Sequence, residues 1–231
     1  MSFHALIIPT KKEAELILSK ITSQKTALFQ GKAFIQCLIN GTAWIINICG
    51  PGKSNAAHAT GLLLHIYKPN LVCMIGVAGA YPSSGLSVGD IAAASSEIYA
   101  DEGLMLKDGI KTMDELNLPT GQVDSAVYFN RYPLHLPEHI NSKIRSGDFA
   151  TVSACTGTAD AAKRMEKKFG VICENMEGAA AAHVCMLGNT RMLELRGISN
   201  IVEDRDAAPL KKDDILKGAM AVQKFFLDVL V

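Results

Sequence analysis

The chain has 231 residues, of which 48% are hydrophobic and 20% charged, enough for the core of one α/β domain or two small ones. Its 23 basic and 23 acidic side chains cancel, which argues against a nucleic-acid or anionic-membrane surface. No apolar run reaches the roughly 18 to 20 residues of a membrane span, and the amino terminus lacks the basic segment of a signal peptide, so we expect a cytoplasmic protein.

In its first half, the chain alternates strand and helix patterns. Hydrophobic periodicity predicts, in order, a buried strand at 3–9, a helix at 11–21, a hairpin of strands at 33–39 and 43–49 around Asn40-Gly41, and a helix at 55–67. The glycine turn at 50–54 between strand and helix could cradle an anion. Its glycine spacing does not match a nucleoside-triphosphate loop.

The second half continues the alternation. The pattern predicts a buried strand at 70–75 with a glycine-rich end at 76–80, a strand at 86–94 with a turn at Gly89-Asp90, a short strand at 149–153, helices at 159–169 and 179–187, a strand at 192–198 and a C-terminal helix at 213–231. Residues 95–137 are irregular and predict a surface excursion: a plain loop, a substrate lid or a subunit contact. Together these elements predict one α/β domain over residues 1–231 with a mixed sheet.

The six cysteines form no C-x-x-C pair, and most of them lie inside apolar runs. We therefore expect reduced, buried thiols and no metal site. Cys185 and His183 are the one sequence-adjacent Cys/His pair, and a spacing of two places them on different faces of a helix. A catalytic cysteine is accordingly not favoured.

Residues 174–206 hold the strongest candidate site. Glu177 stands at the start of a small-residue helix, and Ser199-Asn200 follow an apolar strand. Ligands of open α/β sheets bind at such helix starts and strand ends. Each feature also has a purely structural interpretation, since a first-turn Glu behind a capping Asn175 suits the helix dipole and Ser-Asn is common in turns. Glu13, just after the first predicted strand, has the same two interpretations.

Four stretches, in this order along the chain, resemble the nucleoside phosphorylase and nucleosidase family. They are the strand-turn with Glu13, GVAGAY (76–81) followed by LSVGDI (86–91), ENMEGAAAAHV (174–184) and RGISN (196–200). The resemblance implies a three-layer α/β/α fold around a central mixed sheet and a homo-oligomer, dimer or tetramer. It further implies that the chain binds a small purine nucleoside and needs no cofactor.

Within the family, the chain most resembles the futalosine hydrolase subfamily, which uses water to release hypoxanthine from futalosine in menaquinone biosynthesis. The features that carry this resemblance are residues 10–14, Glu97 with 99–103, and 198–200 followed by Asp204-Arg205-Asp206. Methylthioadenosine/S-adenosylhomocysteine or 6-amino-deoxyfutalosine nucleosidases, a purine nucleoside phosphorylase and a nucleoside-binding protein without turnover remain alternatives.

The resemblance also implies roles for individual residues. Glu177 would accept hydrogen bonds from both ribose hydroxyls, Met176 would pack on the sugar, and Glu13 would activate water. Arg196 would help to orient Glu13 and the water, with a structural ion pair as its alternative role. The other residues expected to contact substrate are Ser199, Ala78, Gly79 and Val152.

Asn200 departs from the adenine-releasing relatives, which usually carry Asp at this position. An amide can donate to N7 and O6 of a 6-oxopurine but cannot protonate N7, so Asn200 favours hypoxanthine as the leaving base.

Residues 1–130 contain no arginine, which favours water over phosphate as the nucleophile, although Lys11, Lys12 and Lys53 could replace the missing arginines. For a distal substrate carboxylate, the candidate cations are Arg131, Lys111 and Lys107.

Overall fold

The computed structural model describes residues 3–107 and 109–231. The strands are β1 His4–Ile8, β2 Thr22–Phe29, β3 Lys32–Ile39, β4 Thr42–Ile48, β5 Leu71–Ala80, β6 Ile91–Tyr99, β7 Gly103–Leu106, β8 Gly109–Thr112, β9 Gly121–Val123, β10 Ala126–Tyr128, β11 Arg131–Pro133, β12 Arg145–Thr151, β13 Cys173–Asn175 and β14 Arg191–Ile201. The helices are α1 Glu15–Leu18, α2 Lys53–Tyr67, α3 Glu138–Asn141, α4 Ala159–Phe169, α5 Gly178–Leu187 and α6 Lys212–Val229, with 3-10 turns at Lys12–Ala14 and Pro82–Ser84. Among these described residues, every helix is too short or too polar to cross a membrane.

Ten of the described strands form one mixed sheet, as the sequence predicts. On one side, β4, β1 and β5 run parallel, and β3 and β2 extend them in antiparallel fashion. On the other side, β14 pairs with both β5 and β6. β6 also pairs with β12, β12 pairs with β13, and β13 pairs with β5. These pairings close β5, β14, β6, β12 and β13 into a ring of five strands, with β14 inserted between two strands that precede it by about a hundred residues.

Helices cover both faces of this sheet, which confirms the three-layer arrangement. On β1, Ala5 and Ile7 face a core shared with α2 and α5. Leu6 and Ile8 face the opposite core, where α6 contributes Val222 and Phe226. The strict alternation along β1 follows from the two-residue repeat of a strand whose two faces are both covered.

Several local predictions are confirmed. Asn40 (φ 47°) and Gly41 (φ 84°) join β3 and β4 in the left-handed conformation that a two-residue hairpin turn requires. Helix α4 has the predicted bounds, and the Thr158 hydroxyl accepts the Ala161 N–H at its start. All six cysteines are free thiols, and five are buried, whereas Cys155 is exposed.

Other local predictions are wrong. The helix predicted at 11–21 ends at Leu18, and residues 22–29 form β2, an exposed strand that the sequence analysis missed. Residues 86–90 form a turn, closed by a hydrogen bond from Ser87 N to the Asp90 side chain, so that the strand predicted at 86–94 runs instead from Ile91 to Tyr99. The region 95–137, predicted to be irregular, contains β7 to β11.

Candidate active site

A cavity of about 510 Å³ opens where several strands end. β1, β5, β12 and β14 direct their carboxyl ends towards it, and α5 begins beside it. Of the nine residues predicted to act in catalysis or to contact substrate, all but Arg196 line this cavity; they are Glu13, Met176, Glu177, Ser199, Asn200, Ala78, Gly79 and Val152. Residues that are far apart in sequence therefore meet in one place.

Glu13 lies in the 3-10 turn that follows β1, with only 5% of its surface exposed. Its Oε1 accepts the Val77 N–H at 2.9 Å and its Oε2 accepts the Thr10 hydroxyl at 2.5 Å. Burial raises the pKa of the Glu13 carboxyl; the two hydrogen bonds and the charge of Arg196 oppose this rise, and Glu177 adds to it. Glu13 is thus a positioned carboxylate with an elevated proton affinity.

Glu177 precedes the first residue of α5, as predicted, and is 4% exposed. The capping group is the neighbouring Asn175, whose Oδ1 accepts the N–H of Glu177 at 2.9 Å and of Gly178 at 2.7 Å. This leaves the Glu177 carboxylate free to turn into the cavity, where Oε1 accepts the Gly52 N–H at 2.9 Å. The glycine turn before α2 therefore donates its N–H to a carboxylate of the protein itself.

Arg196 lies behind the cavity wall and is fully buried. It donates from Nε to Glu194 Oε1 at 2.7 Å and from Nη1 to Glu177 Oε2 at 3.1 Å. Its remaining contacts are to Val77 O, Met74 Sδ and Asn175 Oδ1. Arg196 consequently forms the structural ion pairs that were its alternative role, and it influences Glu13 through its charge.

Ser199 and Asn200 lie at a β-bulge near the end of β14, where the register against β5 shifts between Ile198 and Asn200. The Ser199 hydroxyl is 2.8 Å from Asn200 Oδ1, and Asn200 Nδ2 donates to the Ile201 carbonyl at 3.3 Å. The Ile201 carbonyl can only accept, so it sets Nδ2 as the donor end of the amide; the Ser199 hydroxyl, which also donates to the Ala78 carbonyl at 3.1 Å, suits either end. A Cβ on Gly79 would lie 2.8 Å from Asn200 Nδ2, so only glycine leaves room for this amide.

Glu174 also lines the cavity, although the sequence analysis did not select it. Tyr81 OH donates to its Oε2 and Thr156 N to its Oε1, each at 2.9 Å. Its position next to Asn175 and Met176 in a matched motif was the only available signal. These two hydrogen bonds connect Glu174 to Tyr81 and to the 152–157 loop.

Among the cations named from the sequence, Lys12 lines the cavity, whereas Lys53, Arg131, Lys107 and Lys111 do not. Lys53 is neutralised by Asp101 and by Glu102 at 3.2 Å, and it is not an available anion site. Arg131 pairs with Asp148 outside the cavity, and Lys107 and Lys111 are exposed in the β7–β8 region. The cationic side chains that line the cavity are Lys12, Arg205 and Lys212. In the described part of the chain, no group of three or more His, Cys, Asp or Glu side chains could hold a metal ion.

The chain is similar in sequence to known enzymes. Futalosine hydrolase of Thermus thermophilus is 32% identical over 197 residues, which cover 82% of this chain and 84% of that protein. A 5'-methylthioadenosine/S-adenosylhomocysteine nucleosidase of Maridesulfovibrio salexigens is 27% identical over 231 residues, or 97% of each chain.

Solved structures show the same fold. The 5'-methylthioadenosine/S-adenosylhomocysteine nucleosidase of Colwellia psychrerythraea, in complex with adenine, matches with a TM-score of 0.81 at 22% identity, over 99% of this chain and 94% of that one. The Neisseria meningitidis enzyme matches with a TM-score of 0.82 at 19% identity, over 100% and 99%. The family model of the phosphorylase superfamily matches residues 4–231. The chain therefore belongs to the phosphorylase superfamily, among enzymes that are nucleosidases, which hydrolyse N-glycosyl bonds.

Proposed function

We propose that this enzyme is a futalosine hydrolase, which uses water to cleave the N-ribosidic bond of futalosine and releases hypoxanthine and dehypoxanthinyl futalosine. The observation that carries the proposal is the fixed amide of Asn200 at the cavity wall. The similarity to futalosine hydrolase of Thermus thermophilus supports it.

Asn200 would select the purine. Its Oδ1 faces the Ser199 hydroxyl, and one Nδ2 hydrogen is directed to Ile201 O, which leaves the second Nδ2 hydrogen for a ligand. N7 is an acceptor in both bases, so position 6 decides: a 6-oxopurine offers the acceptor O6 to this hydrogen, whereas adenine presents the donor of its 6-amino group. Donation to O6 would therefore favour hypoxanthine over adenine.

Glu177 would hold the ribose. Each of its oxygens already accepts one hydrogen bond, from Gly52 N or from Arg196, and each retains acceptor capacity for a sugar hydroxyl. Such bonds strengthen as the ring acquires oxocarbenium character. Met176 would supply a polarizable apolar surface next to the sugar.

Glu13 would take a proton from the attacking water. The N–H of Val77 and the hydroxyl of Thr10 fix its carboxylate, and burial raises its pKa towards the working range of a general base. Water is favoured over phosphate because three glutamates, Glu13, Glu174 and Glu177, line the cavity and Lys53 is already paired. Arg205, which also lines the cavity, donates to the carbonyls of Ile201 and Ala208.

Hypoxanthine release by the purified enzyme, measured in phosphate-free buffer, tests the proposal directly. We expect hydrolysis of futalosine that does not change when phosphate is added. Cleavage that requires phosphate would show a phosphorylase, and ligand binding without product would show a binding protein.

A second candidate is a methylthioadenosine/S-adenosylhomocysteine nucleosidase. The observation in its favour is the match to the Maridesulfovibrio salexigens enzyme over 97% of both chains. Parallel assays with methylthioadenosine, adenosylhomocysteine, 6-amino-deoxyfutalosine and futalosine distinguish the two, because the first three release adenine and the last releases hypoxanthine.

For the distal carboxylate of futalosine, the structure favours Lys12 and Lys212 over the three cations expected from the sequence. Both line the cavity, Lys12 on the 3-10 turn and Lys212 at the first residue of α6. We predict that Lys12→Ala with Lys212→Ala raises KM for futalosine about tenfold and leaves KM for inosine, which lacks the carboxylate, unchanged within about twofold. Equal changes for both nucleosides would contradict this assignment.

The proposal includes a cytoplasmic homo-oligomer. Light scattering coupled to size-exclusion chromatography measures its size, and a monomer at micromolar concentration would contradict that part.

A further inference from the structure

Two carboxyl groups lie behind the cavity, and the mechanism above does not use them. Glu97 on β6 and Glu194 on β14 are both 0% exposed. A Cβ on Gly178 would lie 2.1 Å from Glu97 Oε1 and 2.5 Å from Glu194 Oε2. The two acids therefore crowd the same side of the first residue of α5.

The hydrogen bonds of this pair are unequal. Glu97 accepts from Asn175 Nδ2 at 2.5 Å and from the Thr151 hydroxyl at 2.6 Å. Glu194 Oε1 accepts from Arg196 Nε, but its Oε2, though fully buried, has no protein donor among the described residues. A buried carboxylate oxygen without a donor is unfavourable, and a proton on Glu97 would supply the donor.

The charges around the pair also favour a proton on one of the two carboxyl groups. The groups that face it are Arg196, Glu177, Cys173 and Tyr99. Burial raises the pKa of the Cys173 thiol and of the Tyr99 phenol, so both stay neutral, and Arg196 is the cation. Arg196 already pairs with Glu177, so that ionising both Glu97 and Glu194 would leave three carboxylates around one guanidinium.

Of the two acids, Glu97 is the better proton holder. Burial and the charge of Glu194 raise the pKa of Glu97 well above its usual value. Burial also raises the pKa of Glu194, but the charge and hydrogen bond of Arg196, together with a hydrogen bond from Glu97, oppose that rise. The carboxylate form is therefore better supported on Glu194.

We infer that Glu97 carries a proton at neutral pH and donates it to Glu194, and that this shared proton holds the chain Glu194–Arg196–Glu177 in place behind the sugar site. Glu97 also fixes Asn175, which caps α5 next to Glu177. Glu97 is thus a positioning residue: it touches no substrate and acts through two routes on the carboxylate that would bind the ribose.

Infrared spectroscopy tests the proton itself. We expect the wild-type protein at neutral pH to show the C=O stretch of a buried, protonated carboxylic acid. Glu97→Gln should remove this band, whereas the control Glu13→Gln, which changes a buried acid with a raised pKa outside this pair, should retain it. A band that persists in Glu97→Gln would overturn the inference. Loss of the band in Glu13→Gln would also overturn it, and this second result does not depend on whether the Glu97 variant folds.

The kinetic consequence rests on the proposed function and is measured separately. As pH rises, wild-type Glu97 loses its proton, and its carboxylate then repels the carboxylate of Glu194. Because this pair positions Glu177, KM for the nucleoside should rise at alkaline pH. Glu97→Gln keeps a neutral donor that cannot ionise, and its KM should stay level over the same range. Glu194→Gln, which deprives Arg196 of a carboxylate, should raise KM about tenfold or more at every pH.

Parallel alkaline KM curves for wild type and Glu97→Gln would overturn the positioning role. A protein that shows the infrared band but releases no hypoxanthine would keep this inference and lose the proposed function.

Discussion

Glu13 and Glu177 come from opposite ends of the chain and meet at one cavity, each held by backbone N–H groups of other segments. Val77 N–H binds Glu13, and Gly52 N–H binds Glu177. The resemblance to known enzymes predicted both side chains, because each stands in a recognisable motif. It could not predict that Arg196 is buried behind the cavity wall or that Lys212 lines the cavity, since both depend on packing between distant elements.

Asn200→Asp should shift base preference towards 6-aminopurines. An ionised carboxylate can accept from the 6-amino group of adenine but not from O6 of hypoxanthine, which is itself an acceptor, and a protonated carboxyl group can donate to N7. We expect the ratio of kcat/KM for adenine-releasing over hypoxanthine-releasing substrates to rise about tenfold or more. Ser199→Ala is the matched control; an equal loss on both base types in Asn200→Asp would show that this residue does not select the base.

Glu13→Gln should lower kcat about 10²- to 10⁴-fold while ligand binding persists, because the amide cannot accept the proton from water. In the wild type, the base must be ionised, and burial raises its pKa. Activity should therefore fall as pH decreases through that raised value, above the usual range of a glutamate. Turnover in the variant at the wild-type rate would remove Glu13 from the mechanism; calorimetry checks that binding is retained.

The helices and strands that the sequence predicted correctly are those with a clear signal in neighbouring residues. The hairpin at Asn40-Gly41 and helix α4 were predictable because turn chemistry and a capping Thr158 lie next to the periodic segments. Strand β2 was not, since almost all of its residues are exposed and its pairing with β3 leaves no alternating pattern. The strands β7 to β11 are only three or four residues long, too short for periodicity to indicate them.

Helix α6 packs on β14 through two glycines, and it carries part of the cavity wall. A Cβ on Gly218 would lie 2.7 Å from the Ile198 carbonyl oxygen, so Gly218→Ala should push the helix outward and destabilise the protein by about 1–3 kcal/mol. Gly61 in α2 has open space around it, and Gly61→Ala should stabilise by up to about 1 kcal/mol. Urea denaturation measures both; equal effects of the two variants would contradict a backbone contact between α6 and β14.

At the scale of the whole molecule, the ring of five strands explains why the site forms where it does. β5, β12 and β14 carry the polar and glycine positions at their ends, and the ring holds these ends around one opening. The element pattern indicated a mixed sheet, and the family resemblance implied its two helical layers. The closure of the ring was not predictable, because β14 pairs with strands that lie far from it in sequence.

Thiol accessibility tests the arrangement of the whole chain without assuming any activity. Five cysteines are buried, and burial raises the pKa of Cys37 to about 11 and of Cys49 and Cys73 to about 12. We expect a thiol reagent to modify Cys155 alone in the native protein and six thiols after unfolding. Cys155→Ser should abolish the native reaction, and a bound nucleoside should slow it in the wild type, because Cys155 lines the cavity. Rapid modification of several native thiols would contradict the packing.

The position of β14 has a consequence for synthesis on the ribosome. The synthesis of β5 and β6 is complete once residue 99 is added, but that of the strand that separates them is complete only at residue 201. Until then, a nascent chain presents two apolar strand edges without their common neighbour, which is the state in which chains associate or need chaperones. β14 also carries Asn200 and Arg196, whose guanidinium binds Glu177. The chain therefore gains both its central strand and its complete site only when its last third has left the ribosome.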